Sequence, residues 1–467
     1  MTRTAAISSA LAHFDSGAFL RDLDRRVGFH TESQEAGQAA ALVDYLEEDI
    51  APALAAMGFT SRIVPNPEAG FGPILIAHRH EDDALPTVFT YGHGDVIRGY
   101  DKQWRKGLDP WKITVEGERW YGRGTADNKG QHSILLAALA QVLAARGGRL
   151  GFNVKMLIET GEETGSPGLR ALATELREEL AADLLLASDG PRLTAAEPTV
   201  FLGSRGIVDF ELVADLREGG HHSGNWGGLL RNPATVLANA IASLVSANGR
   251  ILVEGLRPPA ISGAVHDAVA SLTVGGGPGD PDVDADWGEP GLTPAERVFG
   301  WNALEVLAFK SGNPDNPVNA IPPSARAHCQ LRFVVGTDWQ NVGAHVRRHL
   351  DEAGLDMVEV KMGSSMPATR LAPDHPWVKW AVDSIARTTG KPVVVLPNLG
   401  GTLPNDVFAD TLGLPTIWIP HSYPGCCQHA PNEHVLAPVM REGLEIMTGL
   451  FWDLGDKGGG QPALRRP

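Results

Sequence analysis

Cysteine is scarce in this 467-residue chain: there are three, Cys329, Cys426 and Cys427. An odd count with two adjacent residues builds no disulfide framework, so a reducing compartment is expected, most simply the cytoplasm. Long apolar runs are missing too. None approaches the ~20 residues of a membrane-spanning helix. The opening stretch MTRTAAISSALAHFDSGAFLRDLDRR has only a short, serine-interrupted apolar segment, and no secretory leader is expected from it. Positive charge is in deficit, with 40 Lys and Arg against 56 Asp and Glu, a net charge of −16. That argues against nucleic acid and against anionic membrane surfaces, both of which select basic patches. It suits a protein that uses some of its carboxylates to hold cations.

What is present is ordinary globular material, 43% hydrophobic and 21% charged, enough for two or three domains. The first 200 residues alternate between two patterns. AAALVDYLEEDIAPALAAMG and HSILLAALAQVLAARGG read as helices. GPILIAHR, PTVFTYGHGD, FNVKMLIETGEE and ADLLLASDG read as short buried strands. This alternation predicts an α/β domain with a mainly parallel, mixed sheet. The pattern changes near Ser204. GIVDFELVAD alternates like a half-exposed strand, and NPATVLANAIASLVSA follows as a helix. Two strands, a helix and a last strand, MVEVKMG, complete a smaller α+β unit of ferredoxin-like order. The expected division is 1–204, an inserted domain over 205–366, and 367–467 returning to the first domain. The stretch VGGGPGDPDVDADWGEPG reads as a surface loop. Its Asp280, Asp282, Asp284 and Asp286 lack the spacing of a calcium loop and read as solvated. The tail after Asp456 is expected to fray.

Five clusters sit where strands or loops end. TYGHGDVIRG presents His93 and Asp95, a pair in which the imidazole can hold a metal while the carboxylate takes the other ring N–H. WYGRGTADNKGQ places Asp127 before an apolar helix, either as a cap or as a carboxylate bridging two cations. IETGEETGSPG sets Glu162 beside Glu163 after a buried strand, where like charges need something positive nearby. LLLASDG ends a strand at Asp189, and CCQHAPNEHV offers His429 or His434. Two histidines and three carboxylates, one of them shared, would give each of two metals three protein ligands and an open position.

GHGD, GRGTADNKG, ETGEETGS, SDG and HAPNEH, in that order, resemble the motifs of the M20 metallopeptidases over about residues 20–452. This group includes dipeptidases, carboxypeptidases, acetylornithine deacetylases and succinyl-diaminopimelate desuccinylases. The resemblance implies two zinc ions, with manganese or cobalt able to fill the same sites. His93, Asp127 and Asp189 match one site, and Asp127, Glu163 and His429 the other. Glu162 matches the general base and Asp95 the carboxylate behind His93. The inserted domain resembles the family's lid and dimerisation domain, which implies a homodimer. There HHSGNWGGLLRNP supplies His222, expected to stabilise an oxyanion in the partner's site. VNAIPPSARAHCQLRF supplies Asn319 and Arg332 as substrate-binding residues, Arg332 expected to clamp a substrate carboxylate, and NLGGTLPND supplies Gly401 and Thr402, whose loop is expected to bind the same carboxylate.

Two departures stand out. Asn128 replaces a common second Asp, and Cys426 and Cys427 precede His429. A thiolate ligand would displace the expected set, but small buried residues in a tight loop are the preferred reading. An insertion of roughly 55 residues, including GRILVEGLRPP, resembles the longer carnosinase-like members. The implied activity is hydrolysis of the amide bond of a dipeptide or short N-acyl amino acid with a free carboxylate. The alternative is an N-acyl-amino-acid deacylase.

Overall fold

The computed structural model describes residues 2–276, 281–456 and 459–462. Asp280 and most of the tail after Asp456 lie outside these residues; Asp282, Asp284 and Asp286 are exposed.

Runs rich in Val, Ile and Leu and bounded by Gly, Pro or charge form an eight-stranded sheet. Across it run Thr60–Val64, Ile74–Arg79, Asn153–Glu159, Thr87–His93, Leu184–Ala187, Thr416–Trp418, Thr199–Phe201 and Val394–Leu396. The centre is parallel: Thr87–His93 pairs in parallel with Asn153–Glu159 and Leu184–Ala187, and Leu184–Ala187 with Thr416–Trp418. The first two strands join antiparallel, so the sheet is mixed. Its central strands are buried on both faces, as parallel strands covered by helices must be. Helices Arg3–Asp15, Lys129–Ala145, Pro376–Thr389 and Ala437–Leu454 pack the core on one face, while Leu169–Glu175 and Pro294–Phe299 help cover the other.

Lys129–Ala145 is buried on nearly every side, because it lies between the sheet and Ala437–Leu454. It begins just after the loop that holds Asp127. Gly130 is required there: a Cβ on it would fall 1.9 Å from the Thr125 carbonyl oxygen. The parallel strands therefore deliver their C-terminal ends, and this loop, to one edge of the sheet. Open α/β sheets place their sites there.

A second sheet is entirely antiparallel and is built from strands between Gly206 and Met366. Its order is Ala303–Ser311, Ser324–Phe333, Gly206–Asp215 and Glu359–Met366. Helices Pro233–Leu244 and Val342–Glu352 cover its apolar face. This is the strand order of a ferredoxin-like sandwich. The strand Gly206–Asp215 alternates buried and half-buried residues, as its sequence pattern predicts. No helix among the described residues is long and apolar enough to cross a membrane.

Candidate metal centre

His93 is the last residue of its strand, and its ring is completely buried. Nδ1 meets the Asp95 carbonyl at 3.1 Å and its carboxylate at 3.4 Å, leaving Nε2 to face outward from the sheet end. Asp95 has a second task. Its two carboxylate oxygens accept the backbone N–H groups of Glu162 and Glu163, at 3.2 and 3.1 Å. One buried carboxylate thus orients the imidazole and pins the turn that carries the paired glutamates.

Asp127 is the hub. Oδ1 lies 2.9 Å from His93 Nε2, and Oδ2 lies 3.0 Å from His429 Nε2. Gln428 also donates to Oδ2, at 2.5 Å. The helix that follows begins at Lys129 with Asn128 as its cap residue and no side-chain capping bond, so Asp127 is not serving as a cap. Asn128 is structural: its amide donates to the Ser188 carbonyl and its oxygen meets His132 Nδ1. Glu163 Oε2 stands 3.1 Å from His429 Nε2. Asp189 Oδ2 and Glu162 Oε2 stand 3.7 and 3.9 Å from His93 Nε2. The ligand atoms of His93, Asp127 and Glu163 can all be taken within 4.8 Å of one another.

The electrostatics show what this cluster lacks. Among the described residues, no Lys or Arg forms an ion pair with Asp127, Glu162, Glu163 or Asp189. Burial pushes Glu163 up to about 7, with Asp127 adding to the rise and His429 opposing it. Burial and the Asp127 charge push Asp189 up to about 6. Glu162 is held well above the carboxylate range, by burial first and then by its acidic neighbours. Hydrogen bonds to Asp127 and Glu163 raise His429 to about 11. Burial draws His93 down, but its bonds to Asp127 and Asp95 outweigh that and hold it well above an ordinary imidazole. Burial also opposes ionisation of Asp127, yet the two imidazoles keep its carboxyl far below the usual range. Among the described residues, the buried Asp189 Oδ2 meets no hydrogen-bond partner, which leaves that oxygen available to an ion. The donor set of imidazole and carboxylate fits zinc or manganese.

The cysteines stay out of the cluster. Cys426 is buried and Cys427 exposed, and burial raises the Cys426 thiol to about 12. His434 is occupied elsewhere, between the Tyr423 hydroxyl and the Asn432 carbonyl. Sequence reasoning missed Glu433. Fully buried, it accepts from Arg123 at 2.7 Å and from the backbone N–H groups of Gly124, Ala126 and Asp127. It binds the loop of Asp127 to the loop of His429. Its only signal was its place in the same HAPNEH run.

Arg332, Gly401 and Thr402 line the same cleft as the cluster. Arg332 Nη1 donates to Thr402 Oγ1 at 2.8 Å, and Nε to Gln330 at 2.8 Å. His222 and Asn319 are not brought together with them. His222 is exposed on a two-residue pairing with Ala320–Ile321, and neither residue lines the cleft of its own chain.

A model of peptidase family M20/M25/M40 matches residues 89–453. The beta-Ala-His dipeptidase of Mus musculus is 32% identical over 415 residues, covering 83% of this chain and 81% of the mouse protein. A cysteinylglycine-S-conjugate dipeptidase of Corynebacterium striatum is 30% identical over 53% of each chain. Two solved structures share the fold. One is an M20 family metallo-carboxypeptidase from Sulfolobus solfataricus, with TM-score 0.79 and 23% identity, covering 94% of this chain and 99% of that one. The other is human carnosine dipeptidase 1, with TM-score 0.78 and 20% identity, covering 97% and 99%.

Glu433→Gln tests the loop brace. Metal affinity, measured by competition with a chromophoric chelator, is expected to weaken about 10–100-fold. The stranded Arg123 should also cost about 3–5 kcal/mol of stability, read by denaturant unfolding. Unchanged affinity in a folded variant would show that the brace does not serve the centre.

Proposed function

The chain belongs to peptidase family M20/M25/M40, and from that premise we propose that it is a dinuclear hydrolase of dipeptides or short N-acyl amino acids with a free carboxylate. The supporting observation is the placement of Glu162 and Glu163. They are adjacent on one turn, yet Glu163 faces His429 and Glu162 faces the His93 side with no ligand-like contact shorter than 3.9 Å. One carboxylate is committed to a cation and the other is left to carry protons. In this reading His93, Asp127 and Asp189 would hold one ion, and Asp127, Glu163 and His429 a second. When bound, the ions polarise the scissile carbonyl and acidify a water.

The protein groups do the rest. Glu162 takes the proton of the attacking water and returns it to the departing amine. Its environment sets it apart from an ordinary glutamate: burial, with the neighbouring carboxylates, holds its carboxyl well above the usual range. Arg332, with Gly401 and Thr402, would fix the substrate carboxylate. Asp95 orients His93 and the glutamate turn together. The mouse dipeptidase, alike over most of both chains, supports small peptides as the substrate class.

We read 205–366 as a lid that also dimerises. In support, Ala303–Ser311 is an edge strand whose residues 305–310 are exposed on both faces, including Leu307 and Phe309. An exposed apolar edge strand invites pairing. His222, remote from its own cleft, would then serve the site of a second copy by donating to the carbonyl oxygen as it gains charge.

Glu162→Gln is expected to lower kcat at least about 100-fold on an active dipeptide while metal content, by elemental analysis, stays at the wild-type value. Near-wild-type turnover would sink the base assignment. Mixed dimers of Glu162→Gln with His222→Ala should regain about a quarter of wild-type activity, because half of the dimers are mixed and each has one intact site. No recovery on mixing, with His222→Ala fully active alone, would refute action across the dimer.

A further inference from the structure

Gln131 lies in the first turn of the helix Lys129–Ala145 and is completely buried. A buried amide has two N–H donors and a carbonyl oxygen to satisfy. In Gln131 all three go to backbone groups. Nε2 donates to the Ala126 carbonyl at 3.0 Å and to the Gly190 carbonyl at 3.1 Å. Oε1 accepts the His421 N–H at 2.9 Å. A carbonyl only accepts and an N–H only donates, so the amide has one workable orientation. A single side chain therefore joins the loop of Asp127, the residue after Asp189 and the segment that leads towards His429.

Asn128 completes the arrangement. Its amide donates to the Ser188 carbonyl at 2.9 Å, and its oxygen is held by His132 Nδ1 at 3.1 Å. The other nitrogen of that ring meets the Tyr45 hydroxyl. Asn128 and Gln131 stand three residues apart, so their side chains are neighbours at the start of the helix. Together they grip the carbonyls on either side of Asp189. The Gly190 N–H donates to Asp189 Oδ1 at 2.6 Å, and Oδ2 stands 3.7 Å from His93 Nε2. Among the described residues, Oδ2 accepts no hydrogen bond, so its aim is set by the backbone around it.

The two ion positions depend on this grip unequally. Glu433 holds Ala126 and Asp127 by their N–H groups, and Arg123, its partner, donates to the Ala430 carbonyl beside His429. Asp95 pins the turn of Glu163. These supports remain if Gln131 is lost. At Asp189, among the described residues, the side-chain bonds to the flanking carbonyls come from the two amides and from Ser422, whose hydroxyl shares the Gly190 carbonyl at 3.0 Å.

We propose that Gln131, with Asn128 as its second arm, is a positioning residue that aims Asp189 at the ion position beside His93. Its loss weakens binding there and spares the position between Glu163 and His429. This rests on the dinuclear reading above and adds to it the side chain that tells the two positions apart.

The test is stepwise zinc binding by the metal-free full chain, read by competition with a chromophoric chelator. Gln131→Met keeps the length of the side chain and removes all three bonds. It should weaken one ion about 10–100-fold and leave the other within about threefold of wild type. Gln131→Asn, whose arm is one methylene too short to reach both carbonyls, should show the same one-ion loss in milder form. Two backgrounds identify the ion. In His429→Ala protein, Gln131→Met should weaken the remaining ion about 10–100-fold. In Asp189→Ala protein, it should change the remaining ion less than about threefold. A residue that only supported the fold would weaken both ions alike. Equal weakening, unchanged affinity in a folded Gln131→Met protein, or failure of both Gln131 variants to fold would overturn the proposal and leave the dinuclear reading standing. Saturation of the wild type at a single ion would overturn that reading instead.

Discussion

Five carboxylates and two imidazoles meet at one sheet edge, and the repulsion among the carboxylates is the constraint on which the rest depends. Among the described residues, no Lys or Arg pairs with Asp127, Glu162, Glu163 or Asp189. Burial and mutual repulsion push Glu163 up to about 7 and Asp189 up to about 6, while bonds to Asp127 and Glu163 raise His429 to about 11. A fold that keeps such a cluster buried is built for positive charge arriving from outside, and the imidazole–carboxylate donors suit divalent metals.

The scaffold answers that constraint with fixed geometry. Three central strands end side by side and deliver His93, the Glu162–Glu163 turn and Asp189. Asp95 holds two of these together, and Glu433 holds the loops of Asp127 and His429. Both braces are buried carboxylates that accept backbone N–H groups and so fix the loops that carry the cluster. The ferredoxin-like domain faces this rigid edge with Arg332, and the inserted segment closes one flank with apolar side chains. The cation-binding edge and much of the apolar wall are thereby kept on different parts of the chain.

Local pattern made much of this readable from the sequence. The strands around His93, Glu159 and Ala187 are short apolar runs ended by Gly or charge, and chemistry-bearing residues follow each at once. The ferredoxin-like order was legible because alternation in GIVDFELVAD differs from the continuous apolar runs before it. Glu433 was not legible, since its partners Arg123, Gly124 and Ala126 lie about 300 residues away in the chain. The choice between cap and hub for Asp127 likewise needed the positions of His93 and His429. Nor could sequence show the apolar wall: Leu399 and Val298 become neighbours of one cleft only after the insertion folds back onto the catalytic sheet.

The central claim is that the carboxylate cluster exists to hold two cations that share Asp127. Titration of metal-free protein with zinc, followed by calorimetry and checked by elemental analysis after dialysis, tests it most directly. Wild type is expected to take up two ions per chain and Asp127→Ala neither, with the fold retained by circular dichroism. Saturation at a single ion, or undiminished binding of two ions by Asp127→Ala, would contradict it.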